Sequence, residues 1–150
     1  MPHILDGKKI AQNLKDQLKI EIENIKIKSN RVPGLAVIQV GNVAASSVYV
    51  KAKTKAAKEV GIDVIDHHLV ESVNQDDLIN LINQLNNNDD VNGILVQLPL
   101  PKTINEEVVL NSIAPEKDAD GFHPLNVGKL SISQKTVSYT HLRAHETAVN

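Results

Sequence analysis

The chain has 150 residues, 41% hydrophobic and 23% charged, which is enough to bury the core of one globular domain. Its formal net charge is −2 and it has no cysteine, so disulfides and thiolate metal sites are excluded and nucleic acid or an anionic membrane is a poor partner. No apolar run is long enough to span a membrane, and the first residues do not resemble a secretory signal. A cytoplasmic protein is therefore expected.

The first predicted element is a long amphipathic helix. Asp6 is a good N-cap, and the helix is predicted to run to about Ser29, where Pro33 and Gly34 follow. Apolar residues recur within it at spacings of three and four and predict one buried face, formed by Ile10, Leu14, Leu18, Ile22 and Ile25.

Strands and helices then alternate to residue 114. An apolar strand is predicted at 35–40, followed by a helix that begins at Ser46 or Ser47 and is ended by Gly61. A strand at 62–69, a helix at 74–87, a strand at 93–98 and a helix at 104–114 follow, and then a loop at 115–121. This alternation predicts an α/β fold, a three-layer sandwich with a mainly parallel sheet flanked by helices.

Ligands of parallel α/β sheets bind beyond the carboxyl ends of the strands. Tyr49 and Lys53 lie four residues apart near the start of the second helix, which places both on one helix face. The positive end of the helix dipole favours a neutral, proton-accepting lysine there, as a general base requires. The alternative is a solvent-facing lysine, since the same helix carries Lys51, Lys55 and Lys58.

Two further polar groups lie at the predicted ligand edge. Gln97 is the polar residue of an otherwise apolar strand end, and its amide is expected either to bond the following turn or to point into the cleft. The run from Asp118 to Gly121 is typical of an ordinary turn, although a carboxylate in it could instead hold an amino-pyrimidine ring through paired hydrogen bonds. The sequence contains no G-x-G-x-x-G and no Walker A motif, so no dinucleotide or phosphate loop is predicted.

Three segments together resemble the methylenetetrahydrofolate dehydrogenase/cyclohydrolase family. Residues 40–53 read Val-Gly-Asn-Val-Ala-Ala-Ser-Ser-Val-Tyr-Val-Lys-Ala-Lys, and residues 93–101 read Gly-Ile-Leu-Val-Gln-Leu-Pro-Leu-Pro. Residues 115–123 read Pro-Glu-Lys-Asp-Ala-Asp-Gly-Phe-His and are followed by Asn-Val-Gly-Lys-Leu at 126–130. The order and distances of these motifs match the family over about residues 2–135.

The resemblance implies an enzyme of one-carbon metabolism and purine biosynthesis. It implies NADP-dependent (in some members NAD-dependent) oxidation of 5,10-methylenetetrahydrofolate and hydrolysis of the methenyl product to 10-formyltetrahydrofolate, without a metal. Lys53 would be the catalytic lysine, Tyr49 its neighbour over the folate ring and Gln97 the group that sets its protonation, while Asp120 would hold the pterin-like ring. The implied substrate-binding set is Tyr49, Val50, Lys53, Val96, Gln97, Leu98 and Asp120.

The sequence also departs from the family. Ala44 stands where the family usually has proline, and the Pro-Cys-Thr-Pro segment expected after Lys135 is absent. Family members are about twice as long, form homodimers and bind the dinucleotide in a second, Rossmann-type domain. We therefore expect residues 1–135 to be the folate-binding domain of an incomplete protein and residues 136–150 to be a non-native tail.

Two other functions stay open at this point. One is a non-catalytic folate-binding or regulatory domain of the same ancestry. The other is a small α/β interaction domain whose motifs are only structural. The combination of Tyr49, Lys53, Gln97 and Asp120 favours the enzyme over both.

Overall fold

The computed structural model describes residues 6–42, 44–132 and 134; the predicted tail at 136–150 lies outside this part of the chain. The helices are α1 (Gly7–Ser29), α2 (Ala44–Val60), α3 (Gln75–Asn86), α4 (Glu106–Ser112) and α5 (Pro124–Ser131), and the strands are β1 (Gly34–Val40), β2 (Asp63–Leu69) and β3 (Gly93–Val96). None of the helices in this described part is long and apolar enough to cross a membrane.

The three strands form a parallel sheet in the order β2-β1-β3, which confirms the predicted α/β class. Gly34 pairs with Asp63 at the start of the β1–β2 ladder, and Leu35 pairs with Gly93 at the start of the β1–β3 ladder. All three carboxyl ends therefore lie at one edge of the sheet, where Gln97 follows β3 and Gly41 follows β1.

The central strand β1 is buried on both faces, as its apolar sequence predicted. One face contributes Ala36, Ile38 and Val40 to the main core, together with Leu78 and Ile82 of α3. The other face carries Val37 and Gln39, and α2 packs against β1 and β2 through a side that includes Ala57 and Val60. The sheet thus lies between two helical layers.

The prediction that the apolar side of α1 is buried was wrong. Ile22 is buried, but Ile10, Leu14, Leu18 and Ile25 keep between 43% and 50% of their surface exposed. The physical reason is that α2 already covers this face of the sheet, so α1 packs on α2 rather than on the sheet itself. The Lys15 ammonium lies 2.9 Å from the carboxylate of Glu59 on α2, and this hydrogen bond lowers the pKa of Glu59.

Several helices and strands begin or end at residues other than those predicted. Helix α2 begins at Ala44, so neither Ser46 nor Ser47 is its N-cap. Ser47 Oγ instead accepts a hydrogen bond of 2.9 Å from Gln39 Nε2 and donates to Asn42 Oδ1 at 3.2 Å. These bonds tie the start of α2 to the loop after β1. Gly61, with a φ of 95°, ends α2 as expected.

Helices α3 and α4 occur where the sequence predicted them, each with an asparagine N-cap. Strand β3 ends at Val96, two residues before its predicted end, and α4 is shorter than predicted at both ends. Helix α5 was not predicted. Its eight residues include Gly128 and show little helical periodicity. The His123 side chain caps its N-terminus, and Pro124 is its first residue.

The burial difference between α1 and α3 can be tested with one substitution in each helix. Leu78 is fully buried and Leu14 is 50% exposed. We expect Leu78→Ala to lower the free energy of unfolding by about 2–5 kcal/mol, because it leaves a cavity. Leu14→Ala should cost less than about 1 kcal/mol. Urea denaturation followed by circular dichroism measures both, and equal losses would show that α1 is buried after all.

Candidate active site

Tyr49 and Lys53 lie one turn apart near the start of α2, on the same face of the helix, as predicted. They differ in environment. The Tyr49 ring is 64% exposed, whereas the Lys53 side chain is 36% exposed and turns towards the end of β3. The tyrosine therefore presents an open aromatic surface beside a lysine that is partly enclosed.

The Lys53 ammonium meets two acceptors that come from distant parts of the chain. Its Nζ donates a hydrogen bond of 3.4 Å to Gln97 Oε1 and lies 3.9 Å from Asp120 Oδ1. The side chain of Asp120 is only 9% exposed. Gln97 and Asp120 thus bring an amide oxygen and a carboxylate to the ammonium from segments beyond β3, far from α2 in the chain. Because α2 begins at Ala44, Lys53 lies well beyond the first turn, over which the helix dipole acts.

Gln97 uses both ends of its amide. Its Nε2 donates to the carbonyl oxygen of Leu98 at 2.7 Å, while Oε1 accepts from Lys53. The bond to the following turn, one of the two alternatives left open by the sequence, is therefore present, and the other end of the amide accepts from Lys53. The backbone N–H of Gln97 also donates to Ile38 at 2.8 Å, which attaches the residue to β1 just beyond the end of β3.

Asp120 is placed by a segment that extends the sheet. The N–H of Ile94 donates to Lys117 and the N–H of Ala119 donates to Ile94, which makes a parallel bridge beside β3. Asp118 accepts bonds from the backbone N–H groups of Gly121 at 3.0 Å and His123 at 2.8 Å. Asp118 thus closes the ordinary turn that the sequence indicated, and Asp120 is the carboxylate that reaches Lys53.

Two residues that the sequence analysis did not select hold this segment against the helices. Lys117 Nζ donates to the carbonyls of Leu85, Asn86 and Asn88, at 3.1, 2.7 and 2.8 Å. The Asn86 side chain bonds the backbone of Ser112 and Ala114 beyond α4. A lysine facing the last carbonyls of a helix is a recognised C-terminal pattern. Here it joins helix and loop across 31 residues, a pairing that sequence spacing does not indicate.

The other predicted substrate-binding residues lie at different depths. Val96 is buried in the main core, and Leu98 is half-buried against the same core. Val50 is half-buried and lines a cavity of about 800 Å³ between α2 and the sheet, which Lys53, Gln97 and Asp120 do not line. A second cavity of about 960 Å³ lies at the carboxyl ends of the strands, among segments 40–42, 71–75 and 99–103.

Metal ions and dinucleotides each require a characteristic set of protein groups. In the part of the chain that the structure describes, no three His, Cys, Asp or Glu side chains are arranged to hold a metal ion. Gly41 follows β1 with a φ of 73°, but no second glycine accompanies it to form a phosphate loop. Among the residues that the structure describes, the loop after β1 therefore lacks the glycines with which such a loop approaches a pyrophosphate.

Comparison with known proteins places this geometry in a family. The family model described as "Tetrahydrofolate dehydrogenase/cyclohydrolase, catalytic domain" matches residues 5–120. The chain is 55% identical over 129 residues to the bifunctional protein FolD of Acetivibrio thermocellus, a match that covers 86% of this chain and 45% of that protein.

Solved structures agree with the sequence comparison. The bifunctional enzyme FolD, a methylenetetrahydrofolate dehydrogenase/cyclohydrolase from Campylobacter jejuni, superposes with a TM-score of 0.86 at 46% identity, over 89% of this chain and 47% of that one. The Trypanosoma brucei methylenetetrahydrofolate dehydrogenase-cyclohydrolase, complexed with NADP and an inhibitor, gives a TM-score of 0.85 at 35% identity, over 91% and 47%. The chain spans about half the length of the curated relatives that it matches.

The attachment of the Asp120 segment can be tested through Lys117. Lys117→Met keeps the apolar stem but removes three hydrogen bonds from an ammonium to the end of α3. We expect the free energy of unfolding to fall by about 1–3 kcal/mol in urea denaturation. Lys102→Met, at an exposed lysine before α4, is the matched control and should change it by less than about 0.5 kcal/mol. Equal effects would contradict the anchoring role.

Proposed function

The chain belongs to the tetrahydrofolate dehydrogenase/cyclohydrolase family, and we propose that residues 1–135 form the folate-binding catalytic domain of such an enzyme. The observation that carries the proposal is the meeting of Lys53, Gln97 and Asp120 at the ligand edge of the sheet. Folding alone does not require a lysine to lie between an amide oxygen and a nearly buried carboxylate. A surface lysine with a solvent-facing role would be free of both.

In this proposal Asp120 binds the ring of the folate. A carboxylate offers two acceptor oxygens, which match the paired N–H donors of an amino-pyrimidine ring. Tyr49, with its ring exposed beside Lys53, supplies a flat apolar surface for the folate to stack on. Val50, Val96, Gln97 and Leu98 complete the proposed substrate site with Lys53. Val96 would contribute through its backbone because its side chain lies in the core.

Lys53 carries the proton chemistry of the proposed cyclohydrolase step. The 5,10-methenyl form of the substrate is a cation, and its approach disfavours a second positive charge on the lysine. Lys53 then accepts a proton as the oxygen of water bonds to the methenyl carbon. It returns that proton to the folate nitrogen as the carbon–nitrogen bond breaks, while the added hydroxyl gives up its own proton to water and becomes the carbonyl oxygen of the formyl group on the other nitrogen. One proton is released overall. Gln97 holds the lysine in place through both protonation states.

The dehydrogenase step of the proposed activity converts the methylene form to the methenyl form with NADP, or NAD in some members. The relative from Trypanosoma brucei is described as complexed with NADP. The residues described here would bind and orient the folate. Hydride transfer requires the nicotinamide to be held against the folate, and a dinucleotide site would have to come from residues other than these.

We further propose tetrahydrofolate derivatives as ligands, a homodimer as the assembled enzyme and the cytoplasm as its compartment.

The folate site is tested by substitution in the 150-residue chain. We expect Asp120→Asn to weaken tetrahydrofolate binding about 10- to 100-fold, because it replaces hydrogen bonds to a charged acceptor. Isothermal titration calorimetry measures the affinity. Glu116→Gln, at an exposed carboxylate of the same segment, should leave the affinity within about twofold. Equal affinities for wild type and Asp120→Asn would remove Asp120 from the site.

The role of Lys53 is tested by catalysis. Residues 1–135 joined to the second half of the Acetivibrio thermocellus relative should hydrolyse 5,10-methenyltetrahydrofolate, as followed by absorbance. Lys53→Met should reduce kcat at least about 100-fold, as expected for loss of a general acid–base group. Lys51→Met, an exposed lysine on the same helix, is the control. Unchanged turnover in Lys53→Met, or folate binding without turnover in the unsubstituted chimera, would instead favour a non-catalytic folate-binding domain.

The dehydrogenase activity gives a separate expectation, because it requires a dinucleotide site. The 150-residue chain by itself should not reduce NADP with 5,10-methylenetetrahydrofolate, whereas the chimera should. Absorbance of the NADPH formed is the measurement for both proteins. Reduction of NADP by the 150-residue chain would mean that a dinucleotide site lies within it, in conflict with the absence of a glycine-rich loop from its sequence.

A further inference from the structure

We propose that Asn126 is a positioning residue that sets the place of the Asp120 carboxylate opposite Lys53. The inference rests on the proposed folate site and deepens it. Asn126 belongs to the Asn-Val-Gly-Lys-Leu motif at 126–130, for which the sequence analysis found no chemical role. It lies in the first turn of α5 and is only 3% exposed.

The Asn126 amide joins two points of the segment that carries Asp120. Its Nδ2 donates to the carbonyl oxygen of Pro115 at 2.7 Å and to Asp118 Oδ2 at 3.0 Å. An amide NH₂ group has two protons to donate, so both bonds can form at once. One side chain thereby attaches the beginning and the middle of the segment to α5.

The second of these bonds leads directly to Asp120. Asp118 is 2% exposed, and besides Asn126 it accepts the N–H of Gly121 and the N–H of His123. Asp120 therefore lies inside a turn whose two ends are both held by one buried carboxylate. A buried carboxylate that loses one of three donors has its charge less well stabilised, which favours a rearrangement of the turn that brings water or another donor to it.

A rearrangement of the turn would affect folate binding because it would change the distance between Lys53 and Asp120. Lys53 Nζ lies 3.9 Å from Asp120 Oδ1, near the limit of an ion pair, so a shift of the turn would change the pairing. Asn126 donates to Pro115 and to Asp118, and through the Asp118 carboxylate it acts on the turn that carries Asp120. This makes Asn126 a positioning residue rather than a catalytic one.

The first test needs no folate. Backbone amide hydrogen exchange by NMR is compared for the 150-residue wild type, Asn126→Ala and the control Asn83→Ala, an exposed asparagine of α3. In Asn126→Ala we expect the amides of Gly121 and His123 to exchange at least about 10-fold faster, while those of β1 keep their rates. Unchanged exchange at both amides would overturn the inference. If Asn126→Ala does not fold, Asn126→Ser, which retains one donor, is measured in the same way.

The second test asks whether the effect acts through Asp120. Tetrahydrofolate affinity is measured by calorimetry for wild type, Asn126→Ala, Asp120→Asn and the double variant. We expect Asn126→Ala to weaken binding about 10-fold alone and less than about twofold when Asp120 is already replaced. Equal losses in both backgrounds would show a general structural role and overturn the positioning role.

The two tests separate this inference from the proposed function. If wild type does not bind tetrahydrofolate, the folate site fails, and the exchange rates still decide whether Asn126 holds the turn that carries Asp120. If wild type binds and Asp120→Asn weakens binding but Asn126→Ala does not, the folate site stands and the positioning role is wrong.

Discussion

The position of Asp120 depends on one buried carboxylate, that of Asp118. This group is almost fully removed from water, and three N–H donors stabilise its charge. The donors come from the turn itself and from α5, so the charge can be accommodated only when the turn is closed and α5 is docked. The backbone pairing of residues 117–119 with Ile94 then fixes the closed turn against β3. As a consequence, Asp120 lies near the Lys53 ammonium, which also donates a hydrogen bond to Gln97.

Most of this architecture could be predicted from the sequence because it rests on local patterns. The apolar run of β1 and the glycine after α2 each specify a backbone conformation by themselves. Alternation of helix and strand then leaves few topologies, and ligand binding at the carboxyl edge follows from the parallel arrangement. The positions of Tyr49, Lys53, Gln97 and Asp120 near one edge were predictable for that reason.

The errors arose where the outcome depends on packing between distant segments. Periodicity shows that α1 has an apolar side but not what covers it, and Leu14 remains half exposed because α2 lies between α1 and the sheet. Lys117 and Asn126 act on partners in other elements, so nothing in their immediate sequence indicates a role. The surroundings of Lys53 were predicted only in part. Its place on α2 beside Tyr49 could be predicted, whereas the two acceptors near its ammonium come from distant segments of the chain.

The order in which these groups occur along the chain has a consequence for biosynthesis. Lys53 and β1 emerge from the ribosome early, Gln97 follows, and Asn126 comes after the loop that it fastens. All three strands of the sheet are therefore made before the Asp118 turn and α5. The sheet can therefore pair while the Asp118 carboxylate is still hydrated and the turn open. The entropy cost of closing the loop between β3 and α5 rises only slowly with the length of the loop. Docking of α5 can therefore follow as a late, separate event. The Asp120 turn would then be the last part of the domain to become ordered, and a polypeptide arrested before residue 126 would contain the sheet without the hydrogen bonds that hold Asp120 near Lys53.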